Sequence, residues 1–491
     1  MITSAAPRSL LLAAAVACLP SFLQSMDTDT VTSFRLGSSL GSHMVLQRDA
    51  TNPFWGTDKP GTGITIRVDG QSWTGMADAE GRWEIPIGPF QPGEPLTIEI
   101  TGTETHALED VLVGEVWIAS GQSNMEWPLI ATVTGEQDVA NANHPNIRLL
   151  TIPHAQAVTP QAFVKNDGWR ACTPESAIYF SAVAYHFACA LQEELDVPIG
   201  IVANAWGGAG MEAYTPLDRM AQSPNLAWTA GDQRASLDRL AEPLHDGVDT
   251  YMPEIQHIPA LLYNAMVHPV APLRARGIIW YQGETNAIRA HQYVELTRTM
   301  VEAWREDFRD PEMPFLYVQL AGLKFGWASW PYMFDSQRRC LEIPHTAMAT
   351  AIDLGDPGDI HPRNKRDVGL RLALAARAIA YGHDVVHSGP LVTSAVSEGR
   401  DVRVTFDHIG SGLVATDEAG HVSGFELAGP DGVFHPANAR IDGATVVVSA
   451  DSVSDPQIVR YDWDEMPGCA LRNREGLPAS PFHEVIIQTP R

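Results

Sequence analysis

Apolar positions along the chain follow two different rhythms. From Phe34 to about Asp110 they alternate with polar ones, as in Ile64-Thr65-Ile66-Arg67-Val68 and Gly81-Arg82-Trp83-Glu84-Ile85, in short runs separated by Gly, Pro and Asp. A period of two puts every second side chain on one face of a strand, so this stretch predicts a small β-sandwich, with Trp73 and Trp83 in its packing. From about Val111 the runs become wholly apolar and alternate with segments of helical period. The predicted strands are 116–119, 199–204, 277–281, 315–320 and 346–352; the predicted helices are 181–195, 293–308 and 366–381, the last stopped by Gly382. Wholly apolar strands alternating with helices predict an α/β fold with a mostly parallel sheet covered on both faces. The working site of such a sheet lies at the carboxyl ends of its strands.

Past Ser388-Gly389-Pro390 the shorter rhythm returns in Val402-Arg403-Val404-Thr405-Phe406 and Thr445-Val446-Val447-Val448. The expected organisation is therefore an N-terminal β-module over 32–110, an α/β body over 111–385 and a C-terminal β-module over 386–491 packed on that body. The polar, weakly periodic segment 223–256 reads as an insertion rimming a cleft.

Composition narrows the classes. The 491 residues are 45% hydrophobic and 19% charged, enough apolar material for a sizeable core, and the formal net charge is −26. A nucleic-acid partner would need clustered Lys and Arg against phosphate, which this balance disfavours. The first 25 residues join Arg8 to an apolar run from Leu10 to Leu19 with small residues at Ala15 and Ala17. That layout predicts a secretory signal peptide over 1–25 and a secreted or periplasmic protein, and the run is too short to span a bilayer. Cys18 beside Ala-Val-Ala faintly suggests lipoprotein processing, and Met26 is an alternative start. Cys172, Cys189, Cys340 and Cys469 then remain; they have no metal-ligand spacing and read as structural or idle.

Candidate chemistry sits just after the predicted strands. After the first comes Gly121-Gln122-Ser123-Asn124, after the second Trp206-Gly207-Gly208, after the third Gln282-Gly283-Glu284-Thr285-Asn286, and after the last Asp353, Asp356, Asp359 and His361. Brought to one sheet edge, these supply a hydroxyl, backbone N–H donors, an amide, carboxylates and an imidazole. Acyl transfer needs such a set: a serine whose proton a histidine accepts, and donors for the oxyanion of the tetrahedral intermediate.

Taken in order, GQSNM (121–125), WGG (206–208), WYQGETN (280–286) and DIHPRNK (359–365) resemble the catalytic blocks of the SGNH hydrolase superfamily and, within it, the sialate O-acetylesterase family. HMVLQRD (43–49), YNAMVHP (263–269) and EGLPASPF (475–482) extend the resemblance over nearly the whole chain past the leader. It implies an SGNH-type α/β/α body, Ser123 as nucleophile, His361 as general base and acid, and an oxyanion hole from the Ser123 N–H, a glycine N–H of Gly207 or Gly208, and the Asn286 side chain. No cofactor or metal is implied. Many superfamily members carry the orienting Asp three residues before the His, and position 358 here is Gly. Asp359, two residues before His361, is the first choice for that carboxylate, Glu284 the second, with Asp353 and Asp356 behind them.

Plainer roles compete. Gly207 and Gly208 could serve only a tight turn, Asn286 could cap a helix, Glu284 could be a structural anchor, and Trp206 and Trp280 could be cleft wall or core. The expected function is a carbohydrate O-acetylesterase acting on acetylated sialic acid or on a plant polysaccharide such as xylan or xyloglucan. Two alternatives stand beside it: a glycoside hydrolase pairing Glu284 with Asp359, and a noncatalytic glycan-binding protein.

Overall fold

The computed structural model describes residues 33–241, 254–326, 328–417 and 420–488. The expected signal peptide, with Cys18 and Met26, lies outside them.

Seven strands form the path that positions the site: β1 (Thr105–Gly121), β2 (His144–Thr151), β3 (Arg170–Cys172), β4 (Ile199–Ala203), β5 (Gly277–Tyr281), β6 (Phe315–Gln319) and β7 (Thr346–Thr350). Their order across the sheet is β3-β2-β4-β1-β5-β6-β7, parallel throughout except for the edge strand β3. Register sets Ala203 opposite Ala119 and Tyr281 opposite Gly121, so β4, β1 and β5 end together at one edge. Helices α1 (Ser123–Glu126), α2 (Ala182–Leu195), α3 (Ala290–Asp307), α4 (Trp330–Arg339) and α5 (Lys365–Ile379) complete the frame used below.

The strand β1 explains the change of rhythm at Val111. Its first residues pair antiparallel with Leu96–Thr101 and are exposed or half-buried except Leu108, whereas every residue from Val111 to Gly121 is buried. One face of the strand is wet before this point and both faces are covered after it, so alternation gives way to a continuous apolar run. The boundary expected at 110/111 falls inside this single strand. Phe34, Trp83 and Ile85 belong to the same contiguous core as Trp117, Phe187 and Trp304. Of the N-terminal strands, Val45–Gln47, Gly63–Val68, Gln71–Met76 and Leu96–Thr101 join the sheet of the α/β body, while Arg35–Leu36, Asn52–Thr57 and Arg82–Ile87 form a separate three-stranded sheet that shares its core.

Residues 391–488 build an eight-stranded sheet over a separate core that includes Phe425, Tyr461 and Phe482. It docks on the α/β body through a buried contact, Gln319 Nε2 donating to Ser480 Oγ at 2.7 Å, and a partly buried one, Arg472 to Asp353 at 2.9 Å. Residues 228–241 of the segment expected to rim a cleft form a helix. No helix among the described residues is long and apolar enough to cross a membrane. Cys172, Cys189, Cys340 and Cys469 are unpaired, and burial pushes each thiol up to about 12.

Candidate active site

The strand β1 stops where its backbone must turn. Gly121 has φ +140°, and a side chain there would come within 2.1 Å of the Tyr281 carbonyl oxygen. Only glycine fits such a backbone at such a distance. Gln122 N–H donates to that same carbonyl at 3.0 Å, which ties the turn to β5. Ser123 then opens α1 at the carboxyl end of the sheet's middle strand, in a short turn closed by the Met125 and Glu126 N–H groups, which donate to the Gln122 carbonyl at 2.9 and 3.0 Å.

His361 arrives on the loop between β7 and α5, and its Nε2 lies 2.8 Å from Ser123 Oγ across 238 positions of sequence. Its ring stacks on Trp127 with centroids 4.8 Å apart and planes at 19°. Asp359 Oδ1 accepts the backbone N–H of His361 at 2.8 Å and stands 3.9 Å from Nδ1. Asp359 thus holds the loop by its backbone and faces the imidazole with its charge, at more than hydrogen-bond distance. Burial first, and the positive charge of Lys365 second, lower the His361 pKa against the opposing pull of Asp359. The ring is therefore mainly neutral near pH 7 and free to take a proton.

Beneath this pair lies a buried polar bridge. Asn124 Nδ2 donates to the Glu284 carboxylate at 2.5 Å and to the Ile360 carbonyl at 2.9 Å, while its Oδ1 accepts from Lys365 Nζ. Lys365 is fully buried between the rings of Trp127 and Tyr281, at 5.6 and 5.7 Å from their centroids. Burial lowers its pKa to about 7 and raises that of Glu284. Because Ile360 precedes His361, this bridge fixes the approach of the histidine loop to the serine turn.

On the other flank, Gly207 N–H donates to Glu126 Oε2 at 2.6 Å. The second oxygen of that carboxylate meets His154 Nε2 at 2.7 Å, and the His154 ring lies flat on Trp206, 4.2 Å away at 4°. Gly208, at φ +75°, turns its carbonyl to His257 Nε2 and Thr285 Oγ1 at 2.7 and 2.8 Å.

A family profile described as carbohydrate esterase, sialic acid-specific acetylesterase, matches residues 113–379, more than half of the chain. The chain belongs to this family. The human sialate O-acetylesterase is 30% identical over 409 residues, covering 74% of this chain and 75% of the human one. The rat sialate O-acetylesterase is 28% identical, with coverage of 91% and 94%. The crystal structure of a carbohydrate acetylesterase from Xanthomonas citri superimposes with a TM-score of 0.81 at 40% identity, covering 91% of this chain and 99% of that one. The protein is thus a carboxylic ester hydrolase with the mixed α/β fold of carbohydrate acetylesterases.

Within this acetylesterase, Ser123 and His361 touch and Asp359 flanks the histidine. Glu284 is 6% exposed and bonded to Asn124. Asp353 is held by Arg371 at 2.6 and 3.0 Å and by Arg472; burial alone would raise its pKa, but the two guanidinium groups outweigh it and keep it low. Asp356 Oδ1 accepts the Gly358 N–H in the turn before Asp359. Asn286 is 1% exposed and engaged at both amide ends: Oδ1 accepts from Met211 N and Gln282 Nε2, and Nδ2 donates to Glu212 at 2.9 Å. Trp280 is core, edge-on to Tyr214 and Trp304, whereas Trp206 is half-buried beside His154. Among the described residues no group of three or more His, Cys, Asp or Glu is arranged to hold a metal ion.

Sequence reasoning did not single out Asn124, Glu126, Trp127, Lys365 or His154. The first three stand in GQSNMEW beside Ser123, and Lys365 follows His361 by four positions, so their spacing was a usable signal. His154 follows a strand that was not predicted and carries no motif.

Proposed function

We propose that this acetylesterase removes O-acetyl groups from carbohydrates through an acyl-enzyme formed on Ser123. His361 Nε2 takes the Ser123 hydroxyl proton as Oγ attacks the acetyl carbonyl, then returns it to the sugar oxygen as the ester bond breaks. Water, activated by the same imidazole, hydrolyses the acetyl-serine. The contact of 2.8 Å between Ser123 Oγ and His361 Nε2 carries this reading. Asp359 stabilises the imidazolium through its charge, and Glu284 serves through the Asn124–Lys365 bridge. The oxyanion is received by the Ser123 N–H together with Gly207 or Gly208, while Asn286, bonded to Met211 and Glu212, supports the segment after them.

An SGNH-type body with β-modules before and after it fits the parallel sheet and the block order. The leader 1–25 fits export. Acetylated sialic acid is suggested by the mammalian relatives' names, and acetylated plant polysaccharide by the acidic character of the chain. A glycosidase pairing Glu284 with Asp359 leaves the serine–histidine contact without a task.

Acetate release by the wild type and Ser123→Ala, from acetylated xylan, acetylated xyloglucan, O-acetyl sialic acid and an aryl acetate, tests the reading. The variant should lose a factor of about 10⁴ or more. Wild-type protein that releases acetate from none of them would sink it.

A further inference from the structure

The Gly207 N–H, one of the two glycine donors offered for the oxyanion, is occupied. Glu126 Oε2 holds it at 2.6 Å, and a Cβ built on Gly207 would lie 3.2 Å from that oxygen and 3.5 Å from Ser123 Cβ. A carboxylate therefore sits beside the nucleophile on one of the groups meant to receive the developing negative charge. Two anions cannot share one donor cheaply in a half-buried site, so Glu126 must give up Gly207 for the reaction to profit from it. Its way out is open: the side chains of Glu126 and His154 are 40% and 41% exposed.

Beside them opens a cavity of 260 Å³ between the ends of β1, β2 and β4, floored by Ala119, Ala203 and Ala205, with Tyr179 at its mouth, 77% exposed. Glu126 and His154 line the cavity; Trp206 stacks on His154, and Glu126 links the cavity to Gly207, where a Cβ would lie 3.5 Å from that of Ser123. An aromatic edge beside a carboxylate suits a sugar ring, whose C–H face packs on the ring system while a hydroxyl donates to the oxygen.

We propose that Glu126, with His154 and Trp206, is the subsite for the sugar part of the substrate, and that a sugar hydroxyl draws the Glu126 carboxylate off Gly207. This rests on the esterase reading above. The exchange moves no proton: the carboxylate accepts an O–H in place of an N–H, and the freed N–H turns to the acetyl oxygen. A leaving group without hydroxyls leaves the donor occupied. An anionic sugar meets a carboxylate at the subsite of a chain of net charge −26, so the subsite selects neutral sugar acetates.

Binding without turnover gives the first test. Ser123→Ala and Ser123→Ala/Glu126→Gln are titrated with acetylated xylo-oligosaccharide and with O-acetyl sialic acid, following tryptophan fluorescence and heat. The double variant should bind the xylo-oligosaccharide about tenfold or more weakly, the scale of one hydrogen bond to a charged group. Turnover gives the second: Glu126→Ala should lower kcat/KM on the xylo-oligosaccharide about tenfold and raise it severalfold on the aryl acetate. Equal losses on both substrates, unchanged oligosaccharide binding in the double variant, or tighter binding of O-acetyl sialic acid than of the xylo-oligosaccharide would each overturn the proposal. Wild type without Ser123-dependent acetate release would instead overturn the esterase reading, and the binding arm, which needs no turnover, would still judge the subsite.

Discussion

Asp359→Asn separates charge from geometry at the histidine. The carboxylate stands 3.9 Å from Nδ1, and its side chain is 49% exposed. At that distance a unit charge stabilises the imidazolium of the transition state by about 1 kcal/mol in a water-like medium and about 4 kcal/mol at an effective dielectric of 20. Half exposure and salt screening pull the value towards the lower bound, to about 1–2 kcal/mol, or roughly 5- to 30-fold in kcat. Asparagine keeps an oxygen for the His361 backbone N–H, so the loop should stay in place, whereas Asp359→Ala loses that bond as well and should cost more. The assay is the initial rate of acetate release at saturating substrate near pH 7.5, with thermal unfolding as the control for folding. A loss near 10⁴-fold in the asparagine variant, the scale of a triad carboxylate bonded directly to its histidine, would refute a through-space role. So would an unchanged rate.

Other outcomes follow from the same geometry. Since burial and Lys365 lower the His361 pKa, and the neutral ring is the active form, kcat/KM should rise with pH through an apparent pKa below 6.5; a limb above that value would contradict the assignment. Lys365→Met removes a charge that opposes the imidazolium, so that limb should move to higher pH. The same variant leaves the Glu284 carboxylate buried without its ammonium partner and should lose on the order of 3 kcal/mol in denaturant unfolding, partly recovered by adding Glu284→Gln. Gly121→Ala sets a Cβ against the Tyr281 carbonyl at a left-handed φ and should cost on the order of 3 kcal/mol together with most activity; a normal melting temperature would count against the turn described.

Much of the frame was legible in the chain. The strands predicted near 116–119, 199–204, 277–281, 315–320 and 346–352 match β1, β4, β5, β6 and β7 to within a few residues, apart from the long N-terminal reach of β1. Three predicted helices correspond to α2, α3 and α5. The unpredicted strand β2 and helix α4 show the limit: β2 buries only Ile147 to Leu150 in an otherwise polar run, too short a signal to separate from a loop. Hydrophobic rhythm reports how each residue's neighbours are buried, and local sterics of glycine report where the chain turns. Both are short-range quantities, which is why the sequence by itself determined the alternating elements and the placement of Ser123, Gly207, Glu284 and His361 just past strand ends.

Tertiary structure alone decided which of those residues meet. The contact of Ser123 with His361 depends on the sheet order that sets β7 and its loop across from β1. The partners of Glu284 depend on Asn124 reaching both it and Lys365, and the Arg371–Arg472 clamp on Asp353 needs the C-terminal sheet to dock. Glu126 and Gly207, 81 positions apart, pair because β1 and β4 end side by side. A carboxylate's role is set by the nearest donors in space, and a one-dimensional pattern carries no measure of those distances.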